Sequence, residues 1–351
     1  MSHLGRPKGW DMKLSLEVVA KHLTELLGRK VQFVGDCVGD EVRQAVRRAP
    51  LGSVILLENL RFYPEEEADD LTFAKSIQRA VRADYFVQDG FAVAHRAHAS
   101  THAIALCVPG VAGFLLEKEY TTITKAMKNP RPPLVAIIGG AKVSDKIALI
   151  KRLIGKADRI LIGGAMANAF LQYRGCNIGK SVSESGQEQV IKDIYDKAEK
   201  KVGVDHVDDF LVLPSDVAVA PDPYSELPRR EVSVDKIARD DMALDIGSQT
   251  IEVFTKVLAN AKTVIWNGPL GYTETKIFSI GSARVALAIA QNKDVVSIVG
   301  GGDTADFILK WDGHDGQSFT HVSTGGGASM ELMAGKKLPG IESLLDVYGL
   351  R

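Results

Sequence analysis

Three consecutive glycines, Gly300, Gly301 and Gly302, separate the β-branched run Val295 to Val299 from a stretch, Thr304 to Lys310, with the pattern of a helix. Without Cβ atoms in the turn, a ligand can approach the backbone N–H groups at the positive end of that helix, which suits phosphate. Asp303, at the helix start, could cap it or hold Mg²⁺ beside bound phosphates, since hard cations take oxygen ligands. Gly325, Gly326 and Gly327 form a second such turn. Lys142 and Lys146 flank the start of another helix, where the macrodipole disfavours cations unless an anion is present. Asn267 and Glu274 follow the run Thr263 to Trp266 and could hydrogen-bond a ribose or simply supply turn polarity. Earlier in the chain, His3, Arg6, Arg61 and Arg96 each lie at or just beyond the end of an expected strand. Guanidinium groups gathered on one sheet edge suit carboxylate and phosphate, although each taken singly is equally a surface residue.

These residues need a scaffold, and the sequence alternates strand and helix patterns throughout, the signature of parallel sheets covered on both faces. A helix is expected over Leu14 to Leu27, a strand over residues 31–39, a helix over 40–49 and a strand over 53–62. An amphipathic helix through Arg82 and a strand over 84–91 follow. Residues 111–129 read as one longer connecting helix, stopped by Pro130, Pro132 and Pro133, and the domain boundary is placed there. The second half repeats strand, glycine turn and helix several times, with runs 134–142, 159–171, 210–219 and 263–274 ahead of the two polyglycine turns. Ligands in such sheets bind beyond the carboxyl ends of the strands, where these glycines sit.

The 351 residues suffice for two domains, and 45% hydrophobic with 25% charged content is ordinary for a globular protein. A formal net charge of -1 argues against a globally basic nucleic-acid binder, so any anion site arises by clustering. Cys37, Cys107 and Cys176 are widely spaced, which suggests reduced thiols in a cytoplasmic protein. No apolar run approaches the roughly 20 residues of a membrane span. His95, His98 and His102 mimic metal-ligand spacing, but no cysteine or carboxylate in sequence completes a zinc set. The P-loop-like Gly175 to Ser181 is one residue short and follows a helix, and no dinucleotide fingerprint is present.

Taken in order, SHLGRPKG, ENLRF, AHRAHAS, GGAKVSDKI, WNGPLG, GGGDTA and STGGGASMELM closely resemble the phosphoglycerate kinases, from residue 2 to about 345. The resemblance implies an α/β fold of two doubly wound, Rossmann-like parallel-sheet domains around a hinged cleft. The N-terminal domain would be residues 1–112, the interdomain helix 113–129, the nucleotide domain 130–334, and a segment returning to the first domain 335–351. The implied reaction is phosphoryl transfer between 1,3-bisphosphoglycerate and MgADP, giving 3-phosphoglycerate and MgATP, by a cytoplasmic monomer that engages neither nucleic acid nor membrane. His3, Arg6, Arg61 and Arg96 would hold the phosphoglycerate, and Gly163 and Gly164 would face the adenine. Asn267 and Glu274 would serve the ribose side, Lys146 and Gly300 to Thr304 the phosphates, and Asp303 the Mg²⁺. The catalytic set would comprise Lys142, which also belongs to the nucleotide site, with Arg96, Gly302, Gly325 and Gly326.

Local departures from the family pattern occur at Ser248 and Gln249, at Tyr272 and Thr273, and before His95. The chain is also expected to lack a leading family segment of about sixty residues, leaving the first domain incomplete, poorly folded and the activity weak. Two other functions fit parts of the sequence. A nucleotide-binding protein without turnover would keep Lys142, Asp303 and Asn267, and calorimetry with 3-phosphoglycerate separates it from the enzyme; a dinucleotide oxidoreductase lacks its fingerprint.

Overall fold

The computed structural model describes residues 1–225 and 228–346. They form two compact units, one of Met1–Glu117 together with the chain from Lys337 on, the other of Lys118–Lys336.

In the first unit, strands β1 (Val31–Val34) and β2 (Val54–Leu57) pair in parallel with Val31 opposite Val54. The helix Gly39–Arg48 joins them, with Asp40 and Glu41 in its first turn and Arg47 and Arg48 in its last, each matched to the macrodipole. Strands β3 (Phe86–Gln88) and β4 (Gly110–Ala112) form a second parallel pair. The helix Leu71–Val81 is capped by Asp70, which accepts from the Phe73 N–H at 2.6 Å, and buries Phe73, Ala74, Ile77 and Ala80 on one stripe. The helix Pro339–Asp346 joins this core: Leu344 belongs to the cluster that holds Phe73 and Ile77, and the Gly340 N–H donates to Ala94 O at 2.9 Å.

Three expectations change here. Among the described residues the first unit has two separate strand pairs instead of one continuous sheet. The strand expected over 53–62 stops at Leu57, because the buried Glu58 carboxylate accepts from Ser15 Oγ, Leu16 N and Asn59 N, and Leu60–Phe62 is a 3-10 turn. The long helix expected from 111 begins as β4 and becomes helical only at Phe114, where Asp89 accepts from the N–H groups of Leu115 and Leu116.

The second unit is built on a six-stranded parallel sheet. Its strands are β5 (Leu134–Ile138), β6 (Arg159–Ile162), β7 (Leu211–Val212), β11 (Thr263–Asn267), β12 (Val296–Gly300) and β13 (His321–Val322), in the order β13-β12-β11-β5-β6-β7. The chain winds outward from β5 in one direction and from β11 in the other, so the topological switch point lies between these two strands. Both strands are buried along their whole length, as continuous apolar runs require.

A three-stranded antiparallel sheet, absent from the sequence-level picture, contains β8 (Asp216–Ala220), β9 (Arg230–Ser233) and β10 (Met242–Ile246), with β8 central. The run at 210–219 is therefore two strands in two sheets. Pro214 interrupts it, and the buried Asp216 turns away to accept from Gln249 N and Thr250 N, capping the helix Ser248–Ala259. No helix among the described residues is long and apolar enough to cross a membrane.

Candidate active site

At the carboxyl end of the six-stranded sheet the exits of β5, β6 and β11 are laced together by backbone. Gly139 N donates to Asn267 O at 3.0 Å, Gly140 N to Pro269 O at 2.8 Å, Gly163 N to Ile138 O at 2.9 Å and Gly164 N to Leu270 O at 3.0 Å. A side chain at Gly139 or Gly164 would strike the Pro269 carbonyl, and Gly164 also sits at φ +64°. These glycines let three loops converge at the switch point.

Above this floor lies a cavity of about 480 Å³, whose lining includes Lys142, Lys146, Asn267, Gly301, Gly302, Asp303, Thr304, Gly326 and Gly327. The helix Gly302–Asp312 starts here behind Gly301, at φ +91°, so its first N–H groups, which have no intrahelical acceptor, belong to the cavity's end of the helix. Thr304 Oγ1 accepts from Gly268 N at 2.7 Å and ties this turn to the β11 exit. Lys146 immediately precedes the helix Ile147–Ile154; its Nζ donates to Gly139 O at 2.6 Å and Asn267 O at 3.1 Å. Burial pulls the Lys146 ammonium down to about 8 despite the nearby carboxylate of Asp303. Asn267 Nδ2 is buried with no acceptor, so the cavity holds a stranded donor as well as a strained cation. Both conditions are relieved by a bound polyanion.

Adjoining it is a smaller pocket of about 220 Å³, mostly apolar, lined by Gly164, Ala165, Val182, Met242, Leu244, Pro269, Tyr272 and Glu274 among others. Gly140, Ala141, Pro269 and Asp303 border both spaces. An apolar slot beside a phosphate-like cavity suits a flat base.

Most residues singled out in sequence therefore converge, with informative differences. Asn267 and Glu274, paired there as ribose ligands, line different spaces. Gly163 lies beneath the apolar pocket, where a Cβ would press on Leu270, whereas Gly164 lines it. Gly326 and Gly327 border the larger cavity; Gly325 lies just behind, its N–H donating to Ser323 Oγ at 3.2 Å. Gly300 is packed against Met333 and Ser329. Sequence reasoning missed Glu184, which accepts from Ser144 N at 3.0 Å and so fixes the loop carrying Lys142; only a distant contact reveals it. It also missed the buried pair of Glu119 and His321, 2.6 Å apart, in which Glu119 further accepts from Thr324 N ahead of the second glycine turn.

In the first unit the basic residues gather as well. Arg61 is 8% exposed, donates through Nη1 to Gly5 O at 2.8 Å and pairs with Glu67 at 3.4 Å. Asn59 Nδ2 donates to Leu4 O and Leu14 O, holding the loop that carries His3 and Arg6. Burial and the charges of Arg61, Arg96 and His98 all lower the His3 pKa, and burial, Arg96 and Arg6 lower that of Arg61, with Glu67 opposing. His98, weighed in sequence as a metal ligand, thus neighbours these basic residues, and burial, Arg61 and Arg96 lower its pKa. His102 pairs instead with Asp69, at 2.7 Å.

The family model for phosphoglycerate kinase matches residues 1–336. A phosphoglycerate kinase from Dictyoglomus turgidum is 47% identical over 346 residues, covering 99% of this chain and 85% of that relative. Another from Pelotomaculum thermopropionicum is 46% identical over 347 residues, covering 99% and 86%. Among solved structures, the phosphoglycerate kinase of Coxiella burnetii aligns with a TM-score of 0.84 at 36% identity, over 99% of this chain and 85% of that one. The enzyme from Pyrococcus horikoshii gives 0.83 at 31% identity, covering 99% and 86%.

Proposed function

The chain belongs to the phosphoglycerate kinase family, and on that footing we propose that it transfers a phosphoryl group reversibly between 1,3-bisphosphoglycerate and MgADP, yielding 3-phosphoglycerate and MgATP. The observation that carries the proposal is the cavity at the β5/β11 switch point, where Lys146, the unpartnered Asn267 amide and the Gly302 helix start all call for phosphate beside an apolar slot sized for a base.

The adenine occupies the slot bordered by Gly164 and Leu244, with Glu274 at its edge. The phosphates lie against Gly301, Gly302 and Thr304 and accept from Asn267 Nδ2 and Lys146 Nζ. Of the two carboxylates that line this cavity, Asp145 and Asp303, Asp303 stands at the start of the helix behind the phosphate turn and would hold Mg²⁺, which would supply charge neutralisation to the phosphates. Lys142, also on that cavity and exposed, follows the group in flight as negative charge spreads over its equatorial oxygens. Gly326, at the start of the helix Gly327–Ala334, adds backbone donors. His3, Arg6, Arg61 and Arg96 hold the phosphoglycerate. No protein nucleophile is required, because this chemistry rests on positioning and charge. In-line transfer needs donor and acceptor oxygens within van der Waals reach, so turnover includes a hinge-bending step that apposes the two loaded sites. The chain would act as a monomer in the cytoplasm, a reducing compartment that suits its three unpaired cysteines.

The test is ATP-dependent turnover of 3-phosphoglycerate by the purified chain, coupled to NADH oxidation. Turnover that falls at least a hundredfold in Lys142→Ala is the expected result; MgADP binding without any turnover would overturn the proposal.

A further inference from the structure

Tyr272 is the only aromatic residue among the described residues lining the apolar pocket. It packs against the cluster of Ala218, Ala220, Leu244 and Phe278 on one side. Its hydroxyl lies 2.7 Å from that of Tyr224, with the two rings nearly perpendicular, 88° apart, at 6.0 Å. Tyr224 sits in the turn after β8, and a second bond secures that turn: Thr275 Oγ1 donates to Pro223 O at 3.1 Å. The antiparallel sheet thereby reaches the loop Gly271–Lys276 through two polar contacts flanking Glu274. The remaining lining is small or aliphatic, and Glu274 and Asp303 are its only side chains with hydrogen-bonding groups besides Tyr272. A base held there must be gripped by its faces, and a ring is the strongest partner available for a π-face.

We propose that Tyr272 is the base-stacking residue of the nucleotide pocket and that Tyr224 is a positioning residue that fixes its ring through the paired hydroxyls. This rests on the nucleotide assignment above and adds the determinant of base affinity. The Tyr224 hydrogen bond also raises the Tyr272 phenol to about 12, which gives the brace an optical signature.

The experiment compares MgADP with magnesium pyrophosphate, which lacks the base, by calorimetry on the full chain. Tyr272→Ala should weaken MgADP about tenfold, and Tyr272→Phe should restore most of that loss because the π-face returns. Tyr224→Phe should weaken MgADP about threefold and lower the alkaline phenol transition, read from ultraviolet absorbance. Pyrophosphate affinity should be unchanged in all three. Unaltered MgADP affinity in Tyr272→Ala, or equal losses for both probes, would overturn the stacking role while leaving phosphotransfer intact. A wild-type chain that binds pyrophosphate but gains nothing from the base would do the same. Binding of neither probe would overturn the nucleotide site itself.

Discussion

Lys146 shows how one side chain can be held in a costly state until substrate arrives. With its ammonium depressed from 10.5 to about 8 by burial, the unfolded chain holds the extra proton between those values, so stability rises with pH across that window. Below about pH 8 the whole cost of the buried charge is present in the folded chain. Lys146→Met should therefore raise the apo melting temperature at neutral pH and weaken nucleotide binding. A bound polyphosphate favours the ammonium, so at about pH 8.5 MgADP binding should take up a proton. The observed binding enthalpy would then differ between Tris and phosphate buffers in the sense of uptake; no buffer dependence would refute the role. Asn267→Ala should leave apo stability nearly unchanged, since its amide has no partner to lose, yet weaken MgADP about tenfold in calorimetry.

Among the elements, the antiparallel sheet carries a clasp. Asp245 on β10 is buried, lies 2.7 Å from Arg229 and accepts from Gly281 N at 2.8 Å, so it joins the sheet to the start of the helix Ile280–Gln291. Asp245→Ala removes the buried acceptor of Arg229 and of Gly281 N, leaving the guanidinium with Glu231 at 3.1 Å, and should cost about 2 kcal/mol, seen as a lower denaturant midpoint. Asp245→Asn, which keeps a hydrogen-bonding shape, should cost less. This clasp marks the limit of what the sequence discloses. The parallel strands were legible because β5, β11 and β12 are short β-branched runs ending in glycine or just before it, and the polyglycine turns pointed to the carboxyl end of the sheet, where the cavity lies. Hidden were contacts between residues far apart in the chain: Asp216 reaching Thr250, Glu184 reaching Ser144, Asp89 reaching Leu115. Such carboxylates interrupt or start elements where local periodicity gives no warning. Asn267 and Glu274 looked like a pair because they are close in sequence, but the Gly268 to Gly271 turn sends them to different spaces.

Across the whole molecule, the two units have cores of their own, one gathered around Trp266, Phe254 and Leu270, another around Phe73, Ile77 and Ile104. A ligand that binds one unit stabilises that unit by mass action. Saturating MgADP should raise the transition followed by the buried Trp266 in a Trp10→Phe, Trp311→Phe chain by several degrees. It should move the transition followed by Trp10, in a chain lacking the other two tryptophans, far less. Equal shifts would show that the chain melts as a single cooperative body.

The floor of the cavity proposed for the nucleotide is made of main chain, and that restricts how the site can diverge. At Gly139, Gly164 and Gly268 any side chain meets a neighbouring backbone atom, so a saturation library should return glycine alone at all three. Selection has no substituent there to vary. Changes in nucleotide preference must be written on the rim, at positions such as Tyr272 and Thr273, where the chain already differs from the family's usual residues. An engineer seeking a different nucleotide should begin at the same two positions.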